Sequence, residues 1–345
     1  MPLKQGLSIP SAQLHNKAPL KLNSLQLNSS GESRSIDPIA DANRKSMNRE
    51  VNFIKLPDGR RLAYAEYGDP QGMPAIYCHG FPGTRLEARL FDMPARRFKL
   101  RVIAPDRNGL GLSDPKPERK LLDWTADVEA LADSLGFERF FLIGVSGGGP
   151  YATACAYRLA DRLNGVTLVC PLGPLDQPGL LAAMRWPAKI NFQSIRNTPL
   201  LSHLSFHYAV VPMVQLSPLW LYQLMLGIAP APDAAVLKRP GVRSAITASI
   251  HESVRQGAKG VLQEMEIYTQ PWGFNLAEVT IPIRIWHGTA DETVPILHSQ
   301  TLAAELADCS LQLAEEEGHF SLPIDHMDKI QQQLIANRLD QPVSP

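Results

Sequence analysis

Short apolar runs alternate with amphipathic stretches along the central and C-terminal parts of the chain. The apolar runs have the length of buried strands, and they cover residues 75–78, 102–104, 140–143, 166–170 and 281–286. Between the second and third runs, the sequence places Val128, Leu131 and Leu135 on one helical face. Strands that alternate with helices predict an α/β fold, with a mainly parallel sheet covered by helices on both faces. In such a sheet, ligands bind at the carboxyl ends of the strands.

Two segments depart from this alternation, and the first is N-terminal. Residues 1–48 have no sustained apolar run, which predicts a disordered tail. No acidic residue precedes Glu32, and this acid-poor, serine-containing composition leaves a targeting segment as the alternative. Ordered sequence begins near Arg49, where two strand-like runs, 51–56 and 61–67, flank a Pro-Asp-Gly-Arg turn.

The second departure is a long helical segment, punctuated by prolines, that interrupts the strand pattern. It predicts a helical cap (lid) over residues 175–278, inserted into a core of residues 49–174 and 279–345. From Asn197 to Pro232 the segment contains no Asp, Glu, Lys or Arg. We interpret this stretch as a buried cap that lines an apolar pocket. Because about 20 apolar residues can cross a bilayer, a membrane span and contact with the lipid interface are the alternatives.

The overall charge balance narrows the classes of partner. Lys plus Arg and Asp plus Glu number 34 each, so no electrostatic argument favours nucleic acid or an anionic membrane. The four cysteines lack C-x-x-C spacing and three lie in apolar runs, which favours buried free thiols in a reducing compartment. We therefore expect a cytoplasmic protein without a metal or organic cofactor. The N-terminal segment leaves an organelle as the alternative location.

The most informative motif lies where the third buried run ends. The sequence Gly144-Val145-Ser146-Gly147-Gly148 has the form G-x-S-x-G and stands between a strand-like run and an alanine-rich helical stretch. A sharp strand-to-helix turn at the serine leaves no room for side chains two positions away, which explains the glycines. The turn would lift the Ser146 hydroxyl clear of the sheet, at a helix start that favours an oxyanion.

Four further segments complete a pattern in which order and spacing matter more than any single motif. They are His79-Gly80-Phe81-Pro82-Gly83, Asp106-Arg107 with Gly109, Gly111 and Ser113, Asp291 with Val294-Pro295, and Gly318-His319. Together with the serine motif they resemble the α/β-hydrolase superfamily, and within it the small serine hydrolases with an inserted cap. The resemblance covers roughly residues 50–335, with the cap matched by position and not by sequence.

The resemblance implies a Ser-His-Asp triad. Ser146 would be the nucleophile, His319 its base, and Asp291 the carboxylate that fixes the imidazole tautomer. Glu292 adjoins Asp291, and Asp176 lies where some family members place the acid. A serine at the nucleophile position also excludes the dehalogenase and epoxide-hydrolase branches, which need a carboxylate there.

The resemblance further implies an oxyanion hole made of the backbone N–H groups of Phe81 and Gly147, each worth about 3 kcal/mol in the transition state. We expect His79 and His287 to be structural hydrogen-bonding residues. The residues expected to form a structural loop near the site are Asp106, Arg107 and Asp114. The predicted substrate pocket consists of Phe81, Trp186, Trp220, Leu221 and Leu224.

The predicted reaction is hydrolysis of a small-to-medium carboxylic ester through an acyl-enzyme, and a small apolar ester is the expected partner. The charge-free cap favours an apolar acyl or alkyl part. Residues 106–113 and 144–151 also resemble proline-iminopeptidase-like members, so an aminopeptidase is one alternative. It would need a cap carboxylate for the substrate amine. The acids available are Asp233, Glu252, Glu264 and Glu266. The other alternative is a non-catalytic ligand-binding protein on the hydrolase scaffold.

Overall fold

A computed structural model describes residues 51–339 of the chain. The predicted N-terminal tail, with its targeting alternative, lies outside the described residues. Eight strands form one sheet in the order β1-β2-β4-β3-β5-β6-β7-β8. The strands are β1 (Asn52–Lys55), β2 (Arg61–Gly68), β3 (Met73–Cys78), β4 (Leu100–Pro105), β5 (Phe140–Val145), β6 (Leu163–Val169), β7 (Ile283–Gly288) and β8 (Cys309–Ala314). Strand β2 runs antiparallel to β1 and β4, and β3 to β8 pair in parallel.

Helices bury the sheet on both faces, as the apolar strand pattern predicts. In β3, Ile76 and Cys78 pack into one core cluster and Ala75 and Tyr77 into the other, because successive side chains point to opposite faces. The first cluster contains the helices Asp123–Ser134, Gly148–Arg158 and Leu297–Glu305. The second contains the short helices Arg85–Phe91 and Asp92–Arg97 and the long helix Ser321–Leu339. The predicted α/β fold class is confirmed.

The chain between β6 and β7 is helical, and several of its helices begin at a proline. Proline suits the first turn of a helix because the amide that it lacks has no partner there. The α-helices of this insertion are Leu180–Ala183, Trp186–Asn197, Pro199–Ser205, Val211–Leu216, Pro218–Ile228, Ala231–Leu237, Pro240–Ser253 and Ala258–Tyr268. A π-helical turn, Phe206–Val210, and a 3₁₀ turn, Leu276–Glu278, complete it. The division of the chain at residues 175 and 278 stays a prediction.

The length and hydropathy of the helices bear on the membrane alternative. Across residues 51–339, no individual helix is both long enough and apolar enough to cross a bilayer. One bent pair, Pro199–Leu216 and Pro218–Ile228, meets those two criteria when taken together, with 94° between its halves.

Two glycines allow the helix Gly148–Arg158 to approach the sheet closely. A Cβ atom at Gly148 would lie 2.0 Å from the carbonyl oxygen of Cys78, and one at Gly144 would lie 2.6 Å from Cβ of Ala152. Both separations are far inside van der Waals contact. The predicted need for glycine two positions either side of the serine is confirmed.

We predict that Gly148→Ala lowers the free energy of unfolding by about 1–3 kcal/mol, the usual cost of overpacking. Gly241 is a matched control, because it lies in a helix with nothing within 4 Å of its ideal Cβ position. Gly241→Ala should instead stabilise the helix by up to about 1 kcal/mol. Urea denaturation of both variants measures the difference, and equal effects would contradict the packing account.

Candidate active site

Ser146 occupies the sharp turn between β5 and the helix Gly148–Arg158. Its φ is +53°, in the left-handed region that residues other than glycine rarely adopt. The turn is fixed on both sides, since the Ser146 amide donates to the Val169 carbonyl and its carbonyl accepts from the Leu172 amide, at 2.9 and 3.0 Å. The strained backbone therefore holds the hydroxyl at the carboxyl edge of the parallel strands.

His319 and Asp291 complete a continuous hydrogen-bonded line with the serine. Nε2 of His319 lies 2.9 Å from Ser146 Oγ, and Nδ1 lies 2.8 Å from Asp291 Oδ2. The other oxygen of Asp291 accepts the backbone amides of Thr293 and Val294, both at 2.9 Å. The three side chains predicted from the sequence are thus brought together, with the carboxylate held by its own turn.

The charges of this line favour an imidazole that can accept a proton. Burial disfavours the imidazolium, but the Asp291 carboxylate and its hydrogen bond outweigh burial and raise the pKa of His319. Burial would likewise raise the pKa of Asp291, and the neighbouring His319 lowers it instead. Asp291 therefore stays ionised beside the ring. Of the other acids considered, Glu292 pairs with Arg185 at 2.6 Å, away from the imidazole.

The two residues predicted to supply oxyanion donors lie against each other beside the serine. The ideal Cβ position of Gly147 lies 3.2 Å from the Phe81 nitrogen, so the two predicted donors are neighbours. Within the described residues, neither the Phe81 nor the Gly147 N–H has a hydrogen-bond acceptor. Free donors at the start of a helix are suited to a developing oxyanion.

The loop that carries the Phe81 amide is fixed through the carbonyl of Gly80. That carbonyl accepts from Nη2 of Arg107 at 3.0 Å and from Nδ1 of His79 at 2.9 Å. Nε2 of His79 accepts the backbone amide of Arg107 at 3.3 Å, so the ring is neutral with its proton on Nδ1. Burial, followed by the Arg107 charge, lowers the pKa of His79 well below its usual value. The His79 ring thus makes structural hydrogen bonds, and the Arg107 guanidinium holds the carbonyl of the peptide that carries the Phe81 N–H.

A buried carboxylate from the insertion holds that guanidinium. Glu264 Oε2 accepts from Nε of Arg107 at 2.8 Å, while Oε1 pairs with Arg119 and accepts the hydroxyl of Tyr151 at 2.8 Å. Burial would raise the pKa of Glu264, but the two guanidinium groups lower it to about 2. The Tyr268 hydroxyl lies 2.9 Å from both Glu264 and the Gly147 carbonyl. From the sequence Glu264 was a candidate only for amine binding, because no local pattern indicates these contacts.

A second acid of the insertion, Asp233, holds the loop that carries His319. Its carboxylate accepts the backbone amides of His319, Phe320 and Ser321 at 3.0, 2.8 and 2.9 Å. A Cβ atom at Gly318 would lie 2.3 Å from Asp233 Oδ1, which explains the glycine in the Gly-His step. Asp233 therefore positions the imidazole and starts the C-terminal helix.

A mainly apolar cavity of about 350 Å³ opens beside Ser146 and His319. Of the predicted pocket residues, Phe81 and Leu221 line it. Trp186, Trp220 and Leu224 do not, and they are 66%, 44% and 43% exposed, so the structure corrects these three assignments. The reason is helical geometry. Leu221 and Met225, four residues apart, share the inner face, whereas Trp220 and Leu224 share the outer one.

Cys170, His287 and Asp291 are the group of described side chains that comes nearest to a metal site, with ligand atoms within 4.8 Å of one another. The ligand atoms of His287 and Asp291 already contact other groups of the protein. The His287 nitrogens contact Val294 O and Ser299 Oγ at 2.9 and 2.7 Å, and Asp291 faces His319. Burial raises the pKa of the Cys170 thiol well above its usual value, and a thiol must ionise to bind a metal. We therefore interpret Cys170 and His287 as structural neighbours of Asp291 and not as metal ligands.

Comparison with known proteins gives a family and a fold. A family model described as alpha/beta hydrolase fold matches residues 74–325. An esterase from Thermogutta terrifontis has a TM-score of 0.58 at 20% sequence identity, over 83% of this chain and 97% of its own. The enol-lactonase from Burkholderia xenovorans LB400 has a TM-score of 0.61 at 18% identity, over 84% and 100%. At these identities the similarity concerns the fold.

Relatives by sequence carry two different activities in their names. Proline iminopeptidase from Xylella fastidiosa (strain 9a5c) is 27% identical over 173 residues, 48% of this chain and 51% of its own. Haloalkane dehalogenase 2 from Mycobacterium tuberculosis (strain ATCC 25618 / H37Rv) is 36% identical over 110 residues, 31% and 37% of the two chains. The matched part of the chain thus spans about half of the length of the proline iminopeptidase and less than half of the length of the dehalogenase.

We predict that Glu264→Gln lowers the free energy of unfolding by about 3–5 kcal/mol, because it leaves two buried guanidinium groups without their charge partner. Glu266 is the matched control on the same helix, since its side chain is 45% exposed and pairs with His203. Glu266→Gln should cost less than about 1 kcal/mol. Urea denaturation at neutral pH measures both.

The lowered pKa of Glu264 determines how the stability difference between wild type and Glu264→Gln changes with pH. The carboxylate has a pKa of about 2 against an ordinary 4.5, so its contribution is complete above pH 4.5 and fades as the pH falls toward 2. A gap between wild type and Glu264→Gln that stayed constant down to pH 2 would contradict the ion-pair account.

Proposed function

The chain belongs to the α/β-hydrolase fold family, and from that premise we propose that it is a serine hydrolase acting on a carboxylic ester with an apolar acyl or alkyl part. The observation that carries the proposal is the unbroken line from Ser146 Oγ through His319 to Asp291, at 2.9 and 2.8 Å. A serine hydroxyl is a weak nucleophile unless a base lies within hydrogen-bond reach.

In the proposed first half-reaction, Ser146 Oγ attacks the ester carbonyl while Nε2 of His319 takes the hydroxyl proton. Asp291 stabilises the imidazolium and keeps the remaining ring proton on Nδ1. The tetrahedral oxyanion accepts hydrogen bonds from the N–H groups of Phe81 and Gly147, of which each contributes about 3 kcal/mol in known cases. The imidazolium then protonates the departing alkoxide, and the acyl group stays on the serine.

In the second half-reaction, water attacks the acyl-enzyme. His319 accepts a proton from that water, the same two N–H groups hold the new oxyanion, and collapse releases the carboxylic acid. The serine oxygen leaves with the proton that His319 returns. Asp291 raises the pKa of His319, which makes the neutral imidazole a stronger base toward the serine and the water.

The chemistry of the cavity supports an ester with an apolar part. Leu221, Met225, Phe192 and Val214 are typical of its walls, which extend directly from Ser146. A space of about 350 Å³ suits a small-to-medium ligand. Such a substrate is the partner that we propose.

The proline iminopeptidase relatives make an aminopeptidase the second candidate. That reaction needs a free carboxylate for the substrate amine, and none of the four cap acids considered above lines the cavity. Glu87, an acid of the core, does line it, but its carboxylate accepts the Tyr77 hydroxyl at 2.6 Å and the Gly80 amide at 3.0 Å. Asp233 and Glu264 are bound as described above, Glu252 pairs with Arg85 at 3.0 Å, and Glu266 pairs with His203 at 3.0 Å. The ester reading is therefore preferred.

We predict that Leu221→Asp reduces kcat/KM for long-chain p-nitrophenyl esters by about tenfold or more and for the acetate ester much less, because a carboxylate on the cavity wall must be desolvated against an acyl chain. Leu224→Asp, on the outer face of the same helix, should leave the chain-length profile unchanged. Proline arylamides are tested in parallel.

Equal loss on short and long esters, or equal effects of the two variants, would contradict the acyl-pocket assignment. Turnover of proline arylamides with no ester turnover would favour the aminopeptidase. Saturable ester binding with no turnover of either class would favour the ligand-binding alternative.

A further inference from the structure

Most of the large hydrophobic side chains that the described residues expose lie on the insertion. On the bent helix pair, Leu216 is 87% exposed and Tyr208 is 80% exposed. Val211 and Val214, on the inner side of the same helix, line the cavity beside Ser146. The insertion is therefore apolar on both sides. The inner apolar residues are explained by packing within the fold. The outer ones form an exposed apolar surface, which usually marks a binding site for a partner.

The π-helical turn Phe206–Val210 aligns the exposed residues. A π-turn takes up one residue more than an α-turn, so it shifts the helical phase by about 100°. With that shift, Leu200, Leu204 and Leu216 fall within about 60° of one another around the helix axis. Without it, Leu216 would turn away from the other two. We call these three leucines, with Tyr208, the apolar stripe.

The segment of the insertion that carries the apolar stripe is rich in basic residues. Residues 185–243 contain six Lys or Arg and one acidic residue, Asp233, which is buried. Lys238 and Arg243 are exposed, and they border a groove together with Leu219. Leu219 lies at the start of the second helix of the bent pair. Of the six, Arg185 and Arg239 pair with Glu292 and Asp325, which leaves Lys189, Arg196, Lys238 and Arg243 without an acidic partner among the described residues. Although the whole chain carries no net charge, the segment that carries the apolar stripe has an excess of positive charge.

We propose that the apolar stripe and its basic border dock on an anionic lipid bilayer. A helix with apolar residues toward the membrane and basic residues at its edge lies in the interface, with its apolar side among the acyl chains. Anionic headgroups attract the basic border within about 10 Å. Docking would place the cavity next to the bilayer, so that an apolar ester reaches Ser146 from the lipid. That last step rests on the proposed function, whereas docking itself does not.

The test is co-sedimentation of the full chain with vesicles, measured without substrate. Vesicles of phosphatidylcholine with about one-third phosphatidylglycerol should bind the protein about tenfold more tightly than phosphatidylcholine alone, and added salt should reduce that gain. Leu216→Asp and the double variant Lys238→Glu/Arg243→Glu should each weaken binding by about tenfold or more. Met93→Asp is the control, since Met93 is 72% exposed outside the insertion.

The outcomes separate the occupants of this surface. Absence of binding to anionic vesicles would overturn the proposal. Binding that survives Leu216→Asp and Lys238→Glu/Arg243→Glu would overturn it too, because another part of the chain would then carry the contact. If light scattering shows a dimer that Leu216→Asp dissociates, and vesicles do not bind, the stripe joins two copies instead. Vesicle binding by a protein without esterase activity would refute the proposed function and leave docking intact.

Discussion

The backbone turn at Ser146 is the constraint on which the rest of the site depends. A φ of +53° at a residue with a side chain is unfavourable, so the surroundings must hold it. Gly144 and Gly148 allow the strand, the turn and the following helix to come within contact distance. The same turn places Gly147 against Phe81, so the hydroxyl and the two proposed oxyanion donors depend on one local backbone arrangement.

Side chains of the insertion hold residues of the candidate site in place, and the insertion also covers that site. Asp233 fixes the loop of His319, and Glu264 fixes Arg107, which orients the peptide of Phe81. Two acids that are remote from the serine in sequence therefore hold the loop of the proposed base and the peptide of one proposed oxyanion donor. Such buried carboxylates cost free energy unless they are fully hydrogen-bonded, and both are. The cap thus belongs to the architecture of the site.

The sequence located the three side chains of the site because each lies in a short motif whose spacing follows from a local turn. The roles of Glu264 and Asp233 could not be predicted, because their partners Arg107 and His319 lie 157 and 86 residues away along the chain. No local pattern encodes such contacts. The pocket prediction failed at Trp220 and succeeded at Leu221 for another reason. The helix Pro218–Ile228 is apolar on nearly every side, so a single amide side chain, Gln223, is too little to show which side points inward.

The most direct test of the central claim is labelling with a fluorophosphonate, which reacts with activated serines, followed by peptide mass spectrometry. The geometry predicts a label on Ser146 that is absent in a folded Ser146→Ala variant, with Asp291→Asn reacting far more slowly because the imidazole loses its orienting carboxylate. A label on another serine, equal labelling of Ser146→Ala, or no labelling of the folded wild-type protein would contradict an activated nucleophile at this turn.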